Sequence, residues 1–187
     1  MAGVAYGTGR QALLEAAVRV VAGQGLRGLT YRSVAAEAGV THGSVRYHFG
    51  DWATLLDAAL TYCVQRSVEG AELSSPGEDF NTFASGLVSL VATDPDAQAF
   101  QYELTIESRR RPELRPVMER ANDLYRAAVR RELARHGLDD PDLAEFVFVA
   151  IDGLVFHQTA FGNTDRTERA TAALRALLKT YAVDRVD

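Results

Sequence analysis

An all-α fold of about nine helices, built as a small N-terminal three-helix head and a larger helical domain, is what this 187-residue chain predicts. Three observations predict it. Apolar residues recur at helical spacing in almost every periodic segment. No alternation of period two persists long enough for a sheet, and the turn signals lie too far apart for a β-sandwich. The length suits one large domain, or a small one joined to a larger one, with enough chain to bury a sizeable core.

The elements follow in order. Residues 1–8 read as a loose arm. A first helix is expected from about Gly9 to Gly23, with Leu13, Ala17, Val20 and Val21 on one face; Gly23, Gly25 and Gly28 end it. Thr30 caps a second helix through Ala38, which Gly39 breaks. Thr41 caps a short third helix ending near Phe49. Asp51 opens a fourth, striped by Leu55, Leu56, Ala59, Leu60, Cys63 and Val64. The stretch Gly70–Asp79 is the best linker candidate. Helices then run to about Thr93, from Pro95 to Arg110, and from Pro112 to the His136-Gly137 pair. Pro141 sits in the first turn of another, behind Asp139 and Asp140, which reaches Gly162. Asp165 opens the last, to about Val183. Residues 1–50 form the head and residues 51–187 the second domain. No internal repeat appears.

Composition narrows the function classes. No apolar run approaches the roughly 18 residues of a membrane span, and Met1 to Arg10 lack the apolar stretch of a signal peptide. Both point to a cytoplasmic protein without a membrane partner. Cys63 is the single cysteine, which excludes an intramolecular disulfide and a two-cysteine zinc site; among Leu60, Tyr62 and Val64 it reads as a buried thiol. The net charge of −5 argues against nucleic acid only until its distribution is seen. Residues 1–50 hold five arginines (Arg10, Arg19, Arg27, Arg32, Arg46) against Glu15 and Glu37, and the surplus of acids lies wholly in the rest. A basic end on an acidic chain is a candidate phosphate-binding surface.

Residues 31–49 have the spacing of a helix-turn-helix. Ala35 lets two helices approach closely, and Gly39, four residues on, can take the positive φ of a tight turn. Val34, Ala38, Val40 and Val45 then point between the helices. Thr41, His42, Ser44, Arg46, Tyr47 and His48 are left facing outward, with side chains that reach phosphates and base edges. Phe49 reads as core. His42 and His48, six residues apart on a short helix, lie on different faces, so no metal site is expected.

On these residues the chain resembles the TetR family of transcriptional repressors. The resemblance rests on Thr30, on AAEAGVTHGSVRYHF (Ala35–Phe49) and on DWATLL (Asp51–Leu56), and it covers residues 10–60. It implies an all-helical homodimer on a palindromic operator of double-stranded DNA. A small-molecule effector in the regulatory half would move the two heads apart. It also implies that Tyr47 grips phosphate; Thr30, whose capping and phosphate contact can coexist, and Arg32 are further candidate DNA contacts. Two departures stand out. Family members usually carry an aromatic residue where Arg46 stands and a lysine where Trp52 stands.

The remaining chain has no P-loop, GxSxG, HExxH or dinucleotide fingerprint, so neither an enzyme nor a cofactor is expected. An activator, or a regulator answering a protein or redox signal, is the alternative; a helical enzyme or binding module with a fortuitous motif is the rival class. The triplet Arg109-Arg110-Arg111 reads as a solvated helix C-terminus. Tyr102, Glu103, Tyr125, Phe148, Asp152, Phe156 and His157 are candidate ligand contacts in a mostly apolar cavity enclosed by the helices of residues 80–161. Asp152 and His157 fit the dimer seam as well as the cavity. That seam is expected where Leu143, Val147, Ile151 and Leu154 on one helix meet Leu174, Leu178 and Tyr181 on the last, four such helices forming an intersubunit bundle.

Overall fold

The structure, a computed structural model, describes residues 6–71, 73 and 80–183. Among these residues the fold is nine α-helices and no strand: α1 (Tyr6–Gln24), α2 (Tyr31–Glu37), α3 (His42–Phe49), α4 (Trp52–Gly70), α5 (Leu87–Thr93), α6 (Pro95–Glu107), α7 (Arg115–Arg135), α8 (Pro141–Phe161) and α9 (Thr164–Val183). Short 3-10 turns at Leu26–Gly28 and Pro112–Leu114 precede α2 and α7.

Local chemistry sets most of these limits. Thr30 and Ser33 exchange hydrogen bonds at the start of α2, the Thr30 hydroxyl accepting from the Ser33 N–H at 3.0 Å. Thr41 accepts from the Ser44 N–H at 3.3 Å to start α3, and Asp140 accepts from Asp142 and Leu143 to start α8. Gly39, at φ +66°, makes the turn between α2 and α3. The α6 helix stops at Glu107 rather than Arg110; residues 108–110 form a turn, and Arg111, which Pro112 bars from helical geometry, lies at φ −123°, ψ 86°. The first helix begins three residues before Gly9, so the expected arm over residues 1–8 shortens, and residues 1–5 lie outside the described residues. The linker expected at Gly70–Asp79 lies mostly outside them too. Residues 81–86 form turns rather than helix, with Ala84 at φ +56°.

The chain divides into two compact units, Met1–Cys63 with Asp96–Glu119, and Val64–Pro95 with Arg120–Asp187. The unit holding the head thus takes in α4 as far as Cys63 and α6 from Asp96 as well as residues 1–50. Its core joins Leu13, Ala17, Val20 and Val21 of α1 to Val34 and Ala35, Val45 and Phe49, Leu55 and Leu56, and Phe100 and Leu104 of α6, all buried. Each large side chain so buried contributes about 1.5–3 kcal/mol relative to exposure. In the second unit α5 lies against α8 and α9, and α8 against α9. Its core is Phe80, Phe83, Leu87, Val129, Leu133, Val147, Leu174 and Leu178. Phe80 stacks on His136 at 4.2 Å; His136 in turn meets the buried Glu132 carboxylate at 3.2 Å. Gln158 on α8 accepts from the Thr167 hydroxyl at 2.7 Å and so ties α8 to α9 across the left-handed Gly162.

Candidate nucleic-acid interface

The reading head is built from α2 and α3. Val34, Ala35, Val45 and Phe49 close its interior. Val40, expected between the helices, is 38% exposed, and Ala38 is half-buried. The cause is the Gly39 turn: the Val40 N–H reaches back to the Ala35 carbonyl at 2.9 Å, which turns the Val40 side chain outward.

The outer face carries Thr41, His42, Arg46 and Tyr47, all exposed, with Tyr47 at 71%. Ser44 and His48 are half-buried, His48 lying against α1 at Gly9. Thr30 and Arg32 are exposed at the start of α2. The basic surface is narrower than the sequence count suggests. Arg10 stacks on the Phe49 ring at 5.1 Å, and Arg19 pairs with Glu37 at 2.6 Å. Among the described residues Arg32 and Arg46 make no ion pair, so their charges remain available to phosphate or base.

Two residues that sequence reasoning passed over hold this face in place. The Tyr31 hydroxyl donates to the Gly50 carbonyl at 3.1 Å, and its ring meets that of His42 edge-on at 5.8 Å. One phenol thus spans α3 from its first residue to its cap. Trp52, noted in the sequence only for the lysine it replaces, donates its indole N–H to the Leu29 carbonyl at 3.3 Å. An aromatic residue next to a helix cap was the available signal in both cases. Asp51 accepts from the Thr54 N–H at 2.7 Å at the start of α4, and that bond holds its carboxyl below the usual range.

The residues expected at a ligand lie on α6, α7 and α8. Glu103 accepts from the Leu26 N–H at 3.4 Å, bracing the turn before α2. Its carboxylate lies 3.1 Å from where a Cβ on Gly25 would fall. Phe148 lies under the Arg126 guanidinium at 4.8 Å; Glu145 hydrogen-bonds that guanidinium and raises its pKa. Tyr102 and Tyr125 are half-buried. Asp152, Phe156 and His157 are exposed on α8 rather than enclosed. Phe80, Phe83 and Phe100 are spent in the cores. A cavity of about 500 Å³ opens by α4 and α7, lined by Val68, Glu69, Leu73, Ala128, Arg131, Glu132 and Arg135. The arginine triplet is only partly solvated, since Arg110 and Arg111 both pair with Glu107, at 2.9 and 3.2 Å. The Arg110 hydrogen bond, first among these contacts, holds the Glu107 carboxyl below its ordinary range.

The stripe expected at a dimer seam is also differently used. Val147, Ile151, Leu174 and Leu178 are buried within the subunit, where α8 and α9 lie against each other and α5, while Leu143 and Leu154 are half-buried and Tyr181 is 36% exposed. The opposite face of α8 is the open one, with Phe146, Val149 and Phe156 at helical spacing, and Leu177 on α9 is 62% exposed. By length and composition α8 is apolar enough to cross a membrane; its exposed apolar residues, however, gather on one face rather than ringing the helix.

Comparison with known proteins agrees with this architecture. The profile for bacterial regulatory proteins of the tetR family matches residues 13–59, and that for the tetracyclin repressor-like C-terminal domain matches residues 78–180. Among curated proteins none matches the chain significantly in sequence. A TetR-family member from Streptomyces coelicolor A3 is similar at 30% identity and TM-score 0.73, over 91% of this chain and 98% of that one. The multidrug binding protein EbrR, in complex with imidazole, is similar at 31% identity and TM-score 0.67, over 91% and 94%. A regulator from Rhodococcus sp., at 23% identity and TM-score 0.71 over 93% and 98%, shares the fold. With both halves matched in order, the chain belongs to the TetR family of bacterial transcriptional regulators.

Proposed function

We propose that the chain is a cytoplasmic repressor that binds a palindromic operator as a two-fold dimer and leaves it when a largely apolar small molecule binds the regulatory half. One observation carries the DNA-binding part: Thr41, His42, Arg46 and Tyr47 stand together on the exposed face of a capped, internally braced helix. Thr41, His42, Ser44 and Arg46 face the groove; Tyr47, Thr30 and Arg32 grip phosphate, with His48 at the edge. Residues 1–50 act as the head and residues 51–187 as the regulatory and dimerisation part.

The dimer rests on the apolar face of α8 and α9. Of the eleven large apolar side chains exposed among the described residues, seven lie on these two helices: Phe146, Val149, Phe156, Phe161, Leu177, Tyr181 and Val183. Such a patch marks an interaction surface. Asp152 and His157 flank it. The effector reading draws on EbrR, a multidrug binding protein seen with imidazole, proflavin, malachite green and ethidium. Tyr102, Tyr125 and Phe148 remain its candidate contacts. The Cys63 thiol is fully buried in the core, which disfavours a redox signal.

Selection of duplexes from a random pool tests this reading. The expected product is a two-fold symmetric sequence with half-sites about one helical turn apart, and addition of an apolar effector from a compound library releases it. Enrichment of no sequence, or of a single unpaired half-site, would overturn it.

A further inference from the structure

The sequence marks His42 as one of several outward-facing groups on α3. The structure separates it from the others. Its ring meets the Tyr31 ring at 5.8 Å and 74°. Tyr31 is the first residue of α2 and half-buried, and its hydroxyl is anchored on the Gly50 carbonyl at 3.1 Å. The phenol is therefore fixed at both ends, by its backbone and by its oxygen. Arg46 and Tyr47 have no partner on α2. Among the described residues the imidazole of His42 has no hydrogen-bond partner, so its two ring nitrogens are held in place and left unoccupied.

Position gives this arrangement a use. His42 is the first residue of an eight-residue helix and is exposed. The leading residues of a recognition helix are those that reach base edges in the major groove. An imidazole N–H there meets the N7 and O6 acceptors of guanine. A freely rotating side chain would spend most of its time out of line with any base. An edge-on ring contact biases its rotamer by roughly two- to twelvefold.

We infer that Tyr31 is a specificity-determining residue of the head: it holds the His42 imidazole in line for the acceptor edge of a guanine in each half-site. Tyr31 touches no base in this scheme; it positions the residue that does. The inference rests on the reading of α3 as the recognition helix.

The test repeats the random-pool selection with wild type, His42→Ala, Tyr31→Phe and Tyr31→Ala, each checked for folding by circular dichroism. His42→Ala should lose the guanine preference at one position of each half-site. Tyr31→Ala should reduce the preference at that same position by about two- to twelvefold and leave the other positions as in wild type. Tyr31→Phe, which keeps the ring but loses the anchor, should fall between. The inference is overturned if His42→Ala loses no preference, if Tyr31→Ala retains it, or if Tyr31→Ala weakens every position equally, as a merely structural residue would. Should Tyr31→Ala not fold, Tyr31→Phe decides, and a profile identical to wild type refutes the role. Failure of the wild type to enrich any sequence would instead overturn the DNA-binding reading beneath it.

Discussion

The indole of Trp52 donates to the carbonyl of Leu29 at 3.3 Å, one residue before the cap of α2. The first residue of α4 is thereby tied to the start of the reading head. Where the family usually has a lysine, this chain has a hydrogen bond internal to the head. Trp52→Phe should lower stability by about 0.5–1.5 kcal/mol. Trp52→Lys should lose the same bond and gain a phosphate contact, steepening the salt dependence of DNA binding by about one unit in log–log slope. Chemical denaturation and salt titration of a labelled duplex measure the two effects. An unchanged slope for Trp52→Lys would sink the exchange.

Gly39 sits at φ +66° with open space around the position of a Cβ. Any penalty for a side chain there is backbone strain alone, because nothing is crowded. Gly39→Ala should cost about 1–2 kcal/mol and Gly39→Asn clearly less, since asparagine tolerates this region. Thermal unfolding of the pair settles it; equal melting temperatures for glycine and alanine would contradict the turn.

Legibility of the sequence was uneven, for reasons tied to particular residues. The α2–turn–α3 unit could be read almost residue by residue because caps and a turn glycine are local signals: Thr30, Gly39 and Thr41 act within four residues of themselves. The rotation of α8 could not. Its apolar residues lie on two opposite faces, and spacing alone does not say which one its own subunit covers. Val147 and Ile151 turn inward while Phe146 and Phe156 remain open. The bond that Glu103 accepts from the Leu26 N–H had no local signal, because the two residues lie 77 apart in sequence. Tyr31 was missed because its partners are the first residue of the next helix, His42, and that helix's cap, Gly50.

The two faces of α8 and α9 give a test that separates assembly from folding. Phe146 is 60% exposed and Phe156 40%. Phe146→Glu and Phe156→Glu should yield folded monomers by sedimentation. Leu178, 2% exposed, is buried within its own subunit, so Leu178→Glu should destabilise the fold itself, by burying an unpaired charge. Folded monomers from Leu178→Glu, with dimers from both phenylalanine variants, would put the seam on the other face.

Acid should loosen the start of α4. The Asp51 carboxyl is held below the usual carboxylate range by the Thr54 N–H. A depressed carboxylate contributes stability that is complete above its unfolded value and is lost as pH falls through the folded one. Melting of wild type should therefore exceed that of Asp51→Ala near neutrality and converge with it only as pH falls through the lowered range of the Asp51 carboxyl. A difference that is constant across this range would show that the charge has no part in the cap.

Electrophoretic mobility shift with the DNA upstream of the protein's own gene tests DNA binding by α3 most directly. Wild type should retard the duplex at a concentration where the folded Arg46→Ala/Tyr47→Phe double variant does not, Arg46→Ala alone losing about 1–3 kcal/mol if it contacts a base. Retardation should fall steeply with added salt despite the net charge of −5. Equal retardation by wild type and the folded double variant, or none by wild type at low salt, would contradict the assignment of this face to DNA.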